Sequence, residues 1–229
     1  MRVGRPNSAA GPIIGVFGGT FDPIHLGHLR TALELLERLS LSEVRFVPCR
    51  EPPHRAAPAT PASLRLRMVQ AAVADEPRFV ADTREIERPG PSYTVDTLQG
   101  LRRDFPGATL CVLLGMDAFL GLPKWHRWPE PLELAHIVVA HRPGWRVPDT
   151  GALGALVGER RTSSAAELAA SRHGRIHVEA VTQLEISATE LRAGVRAGGD
   201  PKYLVPEAVR RIMLETECYA ERETEEAKG

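Results

Sequence analysis

The sequence predicts an α/β protein built on a doubly wound parallel sheet with helices on both faces. Short β-branched, apolar runs recur along the chain, amphipathic stretches of helical spacing separate them, and the first run passes through two glycines straight into a helix. At 229 residues, one α/β domain buries a substantial core. The whole chain is therefore expected to be a single domain, with a core over about 12–214 and tails at 1–10 and 216–229.

The elements follow in order. Residues 12–17 are short, apolar and β-branched, which predicts a buried first strand. Gly18 and Gly19 are expected to stop it, to turn the backbone sharply and to let a bulky ligand approach the amides with no Cβ in the way. From His25, the spacing of Leu29, Leu33, Leu36 and Leu39 predicts an amphipathic helix. A second strand is expected over 44–48 and further strands over 108–114, 137–140 and 176–179. Helices are expected over 63–74, 93–103 and 188–197. The proline-rich segment 51–61 follows a strand, so it reads as a loop at the carboxyl edge, where such sheets bind ligands; a stiff connector is the simpler reading. Residues 148–175 carry no chemical motif and are expected to hold a short exposed helix of no assigned role.

Composition limits the function. Basic and acidic residues number 29 each, so the chain offers neither a nucleic-acid-binding surface nor a polybasic membrane anchor. Cys49, Cys111 and Cys218 are scattered without a Cys-x-x-Cys pair, which argues against a disulfide framework or zinc knuckle and fits a reducing cytoplasm. The polar opening segment is unlike a secretion signal, and no run reaches membrane-spanning length. Oligomeric state stays open, a homo-oligomer included.

His25 and His28 are three residues apart in the first turn of the expected helix, close to its free amides and positive dipole end, where an anion is favoured. A helix cap or half of a zinc site would use the same spacing. Adjacency to a strand and a double glycine favours a phosphate site. Neither the Gly-x-x-x-x-Gly-Lys-Ser/Thr loop nor the Gly-x-Gly-x-x-Gly fingerprint is present, so a P-loop enzyme or an ordinary dehydrogenase is excluded.

Three further places carry chemistry. In Ile186-Ser187-Ala188-Thr189-Glu190-Leu191-Arg192, Ser187 can cap a helix whose first turn presents Thr189 and Arg192 to an anion; a capping box of Ser187 with Glu190 is compatible with that. Asp117 follows the strand over 108–114, where an acid suits the hydroxyls of a ribose or caps a short helix. Trp125 and Trp128 lie among cations in a chain with only 5% aromatic residues, so Trp125 could stack on a flat ring while Trp128 fills the core.

The segment from Gly18-Gly19-Thr20-Phe21-Asp22-Pro23 to His28 resembles the signature of the nucleotidyltransferase superfamily related to class I aminoacyl-tRNA synthetases. Pro52-Pro53-His54-Arg55, Ser92-Tyr93-Thr94, Gly115-Met116-Asp117, Lys124-Trp125-His126, Arg142-Pro143-Gly144 and the 186–192 segment narrow the resemblance to bacterial nicotinate-nucleotide adenylyltransferases. It implies a Rossmann-like fold and adenylyl transfer from ATP to nicotinate mononucleotide in NAD biosynthesis, with small-molecule substrates only. It implies catalytic roles for His25 and His28, and ATP-phosphate contacts at Gly18, Gly19, Thr20, Phe21, Ser187, Thr189 and Arg192. Asp117 would meet the ATP ribose, Arg142 another part of the nucleotide, and Thr94, Trp125, His126, His54 and Arg55 nicotinate mononucleotide. Mg²⁺ would come with ATP, held by phosphates and water rather than by a protein cage. The family more often has Ser where Ala188 stands, so a contact from that side chain does not carry over. A transferase for another phosphorylated acceptor would lack the Ser92-Tyr93-Thr94 and Trp125 segments, and a non-catalytic nucleotide sensor would bind ATP without turning it over. A synthetase fragment would need a Lys-Met-Ser-Lys-Ser motif that the chain lacks.

Overall fold

The computed structural model describes residues 11–53, 57–141 and 148–221. Its centre is one parallel sheet of seven strands: β1 Ile13–Gly19, β2 Glu43–Pro48, β3 Phe79–Ala81, β4 Thr109–Gly115, β5 His136–His141, β6 Arg161–Thr162 and β7 Ile176–Ala180. The spatial order is β3-β2-β1-β4-β5-β7-β6, so the winding reverses between β1 and β4. Open α/β sheets bind ligands at that reversal, beyond the carboxyl ends of the strands. The helices are α1 Leu26–Arg38, α2 Ala62–Val73, α3 Arg84–Glu87, α4 Thr94–Asp104, α5 Met116–Leu120, α6 Pro131–Leu134, α7 Gly151–Arg160, α8 Ala165–Ala170, α9 Ala188–Arg196 and α10 Glu207–Thr216.

Both faces of the sheet are buried, as a parallel sheet requires. Alternation along β4 shows it: Cys111 and Leu113 join the core beneath α1 and α2, while Leu110, Val112 and Leu114 join the core beneath α4. Phe46, Leu35, Leu36 and Met68 are almost fully buried in the first of these cores. Each such side chain contributes about 1.5–3 kcal/mol relative to exposure.

Several expectations are corrected. Gly18 and Gly19 do not stop the first strand; β1 runs through both, and the turn follows at Asp22–Pro23, entered through Phe21 at φ +49°. Strands β3 and β6, three and two residues long, are additional to the expected ones. The 148–175 region is more than one exposed helix. It holds α7, β6 and α8, and Leu153, Val157 and Leu168 are buried. The expected core limit near residue 214 also falls short, because Tyr219 beyond α10 is 3% exposed and packs in the core. Among the described residues no helix is long and apolar enough to cross a membrane.

Candidate active site

A cavity of about 840 Å³ opens at the carboxyl edge where the winding reverses. Gly18, Gly19, Thr20, Phe21, His25, His28, Asp117, Ser187, Thr189 and Arg192 all line it, so the fold gathers these expected site residues from three distant parts of the chain.

Its floor is the end of β1. A Cβ on Gly18 would meet nothing within 4 Å, so this glycine leaves open space on the cavity. Gly19 differs, since a Cβ there would lie 3.0 Å from the Phe21 ring. Phe21 is itself 2% exposed, its ring edge-on to Phe17 and His28 at 5.9 and 5.1 Å. Its side chain therefore packs as a wall, and only its backbone can serve a phosphate. Asp22 follows with a buried carboxylate that accepts from the Ala59 N–H (2.7 Å), the Thr60 hydroxyl (2.7 Å) and the Tyr219 hydroxyl (2.6 Å). Burial and the Asp22 carboxylate drive the Tyr219 phenol far above its usual pKa.

His25 caps α1 in an extended conformation, and its ring stacks on that of His28, centroids 3.7 Å apart. The backbone N–H of His25 donates to Nδ1 of His28 at 3.3 Å. A neutral His28 with Nδ1 accepting must carry its proton on Nε2. The His25 ring approaches the first-turn amides, but no well-formed hydrogen bond reaches its Nδ1, which is buried without a partner, so only the His28 arm of this capping arrangement holds. Burial lowers the pKa of His25 to about 4, and burial together with the neighbouring His25 lowers His28 well below its ordinary value. Both shifts favour the neutral rings at physiological pH, which equips the pair as hydrogen-bonding groups rather than cations.

The opposite wall is the start of α9. Ser187 is its N-cap, the hydroxyl accepting from the Glu190 N–H at 3.4 Å. Arg192 donates to the Asp22 carbonyl at 2.7 Å and to the Thr189 hydroxyl at 3.3 Å, which ties α9 to the segment after β1. Asp117 lies in the first turn of α5, beyond β4. The N-cap of that helix is Gly115, so Asp117 is not a cap, and its exposed carboxylate has no hydrogen-bond or ion-pair partner among the described residues.

Thr94, Trp125 and His126 form a second group that does not line the cavity. Thr94 opens α4, whose N-cap Tyr93 stacks on His126 with centroids 4.2 Å apart. Trp125 follows a short 3₁₀ turn, Leu122–Lys124, and both Trp125 and Trp128 are half-buried against the core beneath α4. His54, Arg55 and Arg142 lie outside the described residues.

Sequence reasoning missed two residues. Asp22 was read only as part of a motif. Arg65 was read only as a helical position, although it falls in register with the buried Met68, Val69 and Val73 of α2. A lone arginine on an apolar helix face was the available signal.

The cavity is thus lined by glycine, helix N-termini and histidines whose neutral form is favoured, a set of groups suited to an anion. The sequence matches the cytidylyltransferase-like family over residues 16–194. The chain is 47% identical over 208 residues to a protein of Aeromonas hydrophila subsp. hydrophila named "Probable nicotinate-nucleotide adenylyltransferase", covering 91% of this chain and 97% of that one. A protein of Halorhodospira halophila with the same name is 49% identical over 206 residues, covering 90% and 94%. In fold, the chain is similar to a Plasmodium falciparum nicotinic acid mononucleotide adenylyltransferase solved in complex with NaAD. The TM-score is 0.68 at 17% identity, over 91% of this chain and 97% of that one. Relatives of almost full length and a family match that spans the cavity agree on one assignment: the chain belongs to the cytidylyltransferase-like family and, within it, to the nicotinate-nucleotide adenylyltransferases.

Proposed function

We propose that the protein transfers the adenylyl group of ATP to nicotinate mononucleotide, giving deamido-NAD and pyrophosphate in NAD biosynthesis. The observation that carries this reading is the convergence of Gly18, the neutral His25–His28 pair and the capped start of α9 on one cavity. An oxygen of the nicotinate mononucleotide phosphate attacks the α-phosphorus of ATP. The bond from that phosphorus to the bridging oxygen breaks, and pyrophosphate leaves with the electron pair. No enzyme nucleophile is required; catalysis is positioning and charge stabilisation.

In this reading His28 donates from Nε2 to a phosphate oxygen where negative charge grows, and His25 stacks against it to hold the ring. The amides at Thr20 and Phe21, with Ser187, Thr189 and Arg192, hold the phosphates, and Asp117 accepts from the ATP ribose. Thr94, Trp125 and His126 receive the pyridine ring, whose carboxylate suits the first-turn amides of α4. His54, Arg55 and Arg142 are assigned substrate contacts on the family resemblance alone. Magnesium enters as part of the Mg·ATP substrate. Asp22 is already engaged by three donors, which leaves Asp117 as the open carboxylate among the described lining residues, so phosphate oxygens and water would supply the ion's ligands. We read the chain as a single catalytic domain of the cytoplasm, its three thiols free among the described residues.

The test is pyrophosphate release by the purified protein with Mg·ATP and, separately, nicotinate mononucleotide, nicotinamide mononucleotide and phosphopantetheine. Release that favours the nicotinate compound is expected. ATP binding without release on any acceptor would overturn the reading in favour of a nucleotide sensor.

A further inference from the structure

Arg65, on the first turn of α2, is 1% exposed, among the most deeply buried large side chains in the molecule. Buried cations are ordinarily paired with a carboxylate. Among the described residues none lies within ion-pair distance of Arg65, whose partners are backbone carbonyls instead. Nη1 donates to Thr20 O at 2.7 Å and Cys49 O at 2.6 Å, Nη2 to Arg50 O at 3.1 Å, and Nε to Thr60 O at 3.3 Å. One planar guanidinium thereby joins the exit of β1, the exit of β2 and the entry of α2.

The Thr20 contact bears on the phosphate site. In a trans peptide the carbonyl and the following N–H point in opposite directions. With the Thr20 carbonyl held on Arg65, the Phe21 N–H is turned away from it, and that N–H has no acceptor of its own among the described residues. Phe21 lines the cavity at φ +49°, a conformation a bulky residue adopts only when its surroundings impose it. A buried amide without a partner, next to an open glycine floor, is suited to an anionic oxygen.

We propose that Arg65 is a positioning residue: it orients the Thr20–Phe21 peptide so that the Phe21 amide binds a substrate phosphate, and its unneutralised charge beneath the turn favours that anion. This rests on the cavity being a nucleotide phosphate site.

The test compares ATP with adenosine by titration calorimetry on the wild type, Arg65→Lys and Arg65→Met, each first shown to be folded by circular dichroism. The wild type should bind ATP more tightly than adenosine. In Arg65→Lys, which keeps the charge but not the fork, the preference for ATP should fall at least threefold while adenosine affinity stays within twofold. In Arg65→Met the preference should fall at least tenfold; if that variant does not fold, Arg65→Lys decides alone. A folded variant that keeps the wild-type ratio, or that loses both ligands equally, would make Arg65 a purely structural strap and overturn the proposal. A wild type with no preference for ATP would instead overturn the phosphate reading of the cavity, and the proposal with it.

Discussion

The His25 backbone N–H donates to Nδ1 of His28 at 3.3 Å while the two imidazoles stack at 3.7 Å. This single contact fixes which nitrogen of His28 carries the proton. Phe17 and Phe21 crowd the same ring edge-on, and burial keeps it uncharged. The outcome is a preset neutral donor at the mouth of α1, where the helix dipole already favours negative charge.

Neutral histidines in the folded state give stability a definite pH dependence. The folded pKa of His25 is about 4 against an ordinary 6.5, so between those values the unfolded chain binds more protons and stability rises with pH. Acidification from 6.5 to 4 should remove up to about 3 kcal/mol through this residue, and His28 acts in the same direction. Urea midpoints across that range should shift accordingly. In His25→Asn the slope should flatten; an equal slope would show that other groups set it.

Gly18 and Gly19 should respond oppositely to added side chains. Gly18→Ala puts a Cβ where no protein atom lies within 4 Å, so melting should change little while ATP affinity falls at least tenfold. Gly19→Ala brings a methyl to 3.0 Å from the Phe21 ring and should lower stability by about 1–3 kcal/mol, as over-packing does. Thermal melts with ATP titration separate the two outcomes.

Tyr219→Phe removes one of three donors from the buried Asp22 carboxylate. A loss of about 1–3 kcal/mol is expected, read as a lower denaturant midpoint at unchanged slope. No change would mean that the segment after α10 does not hold the Asp22 turn.

Asp117→Asn should raise the KM for ATP about tenfold and leave kcat nearly unchanged, the cost of weakening a charge-assisted hydrogen bond. The check is 2′,3′-dideoxy-ATP: the wild type should discriminate against it and the variant should not. Equal discrimination would remove Asp117 from the ribose.

The strands at the reversal and α1 were legible because their signals are local. β1, β4 and β5 are continuous apolar runs, and Leu29, Leu33 and Leu36 mark one helix face. Ser187 read correctly as a cap because capping depends on residues three apart. What stayed hidden depends on contacts distant in sequence. Arg65 reaches carbonyls 15, 16 and 45 residues away, and Tyr219 reaches Asp22 across 197 residues. No periodicity encodes such pairs. Intrinsic freedom points to the glycines for the turn, yet the positive φ falls on Phe21 and the turn on Asp22–Pro23, where the Arg65 contact and ring packing outweigh a local preference. β3 and β6 are too short to carry a pattern.

Donation from neutral His28 to the phosphate in the transition state is tested by kcat for deamido-NAD formation in the wild type and His28→Ala. Both enzymes should be saturated with Mg·ATP and nicotinate mononucleotide at pH 7.5. A fall of roughly 10²–10³-fold, or about 2.7–4 kcal/mol, is expected, with the ATP dissociation constant little changed. An unchanged kcat in a folded His28→Ala would contradict it.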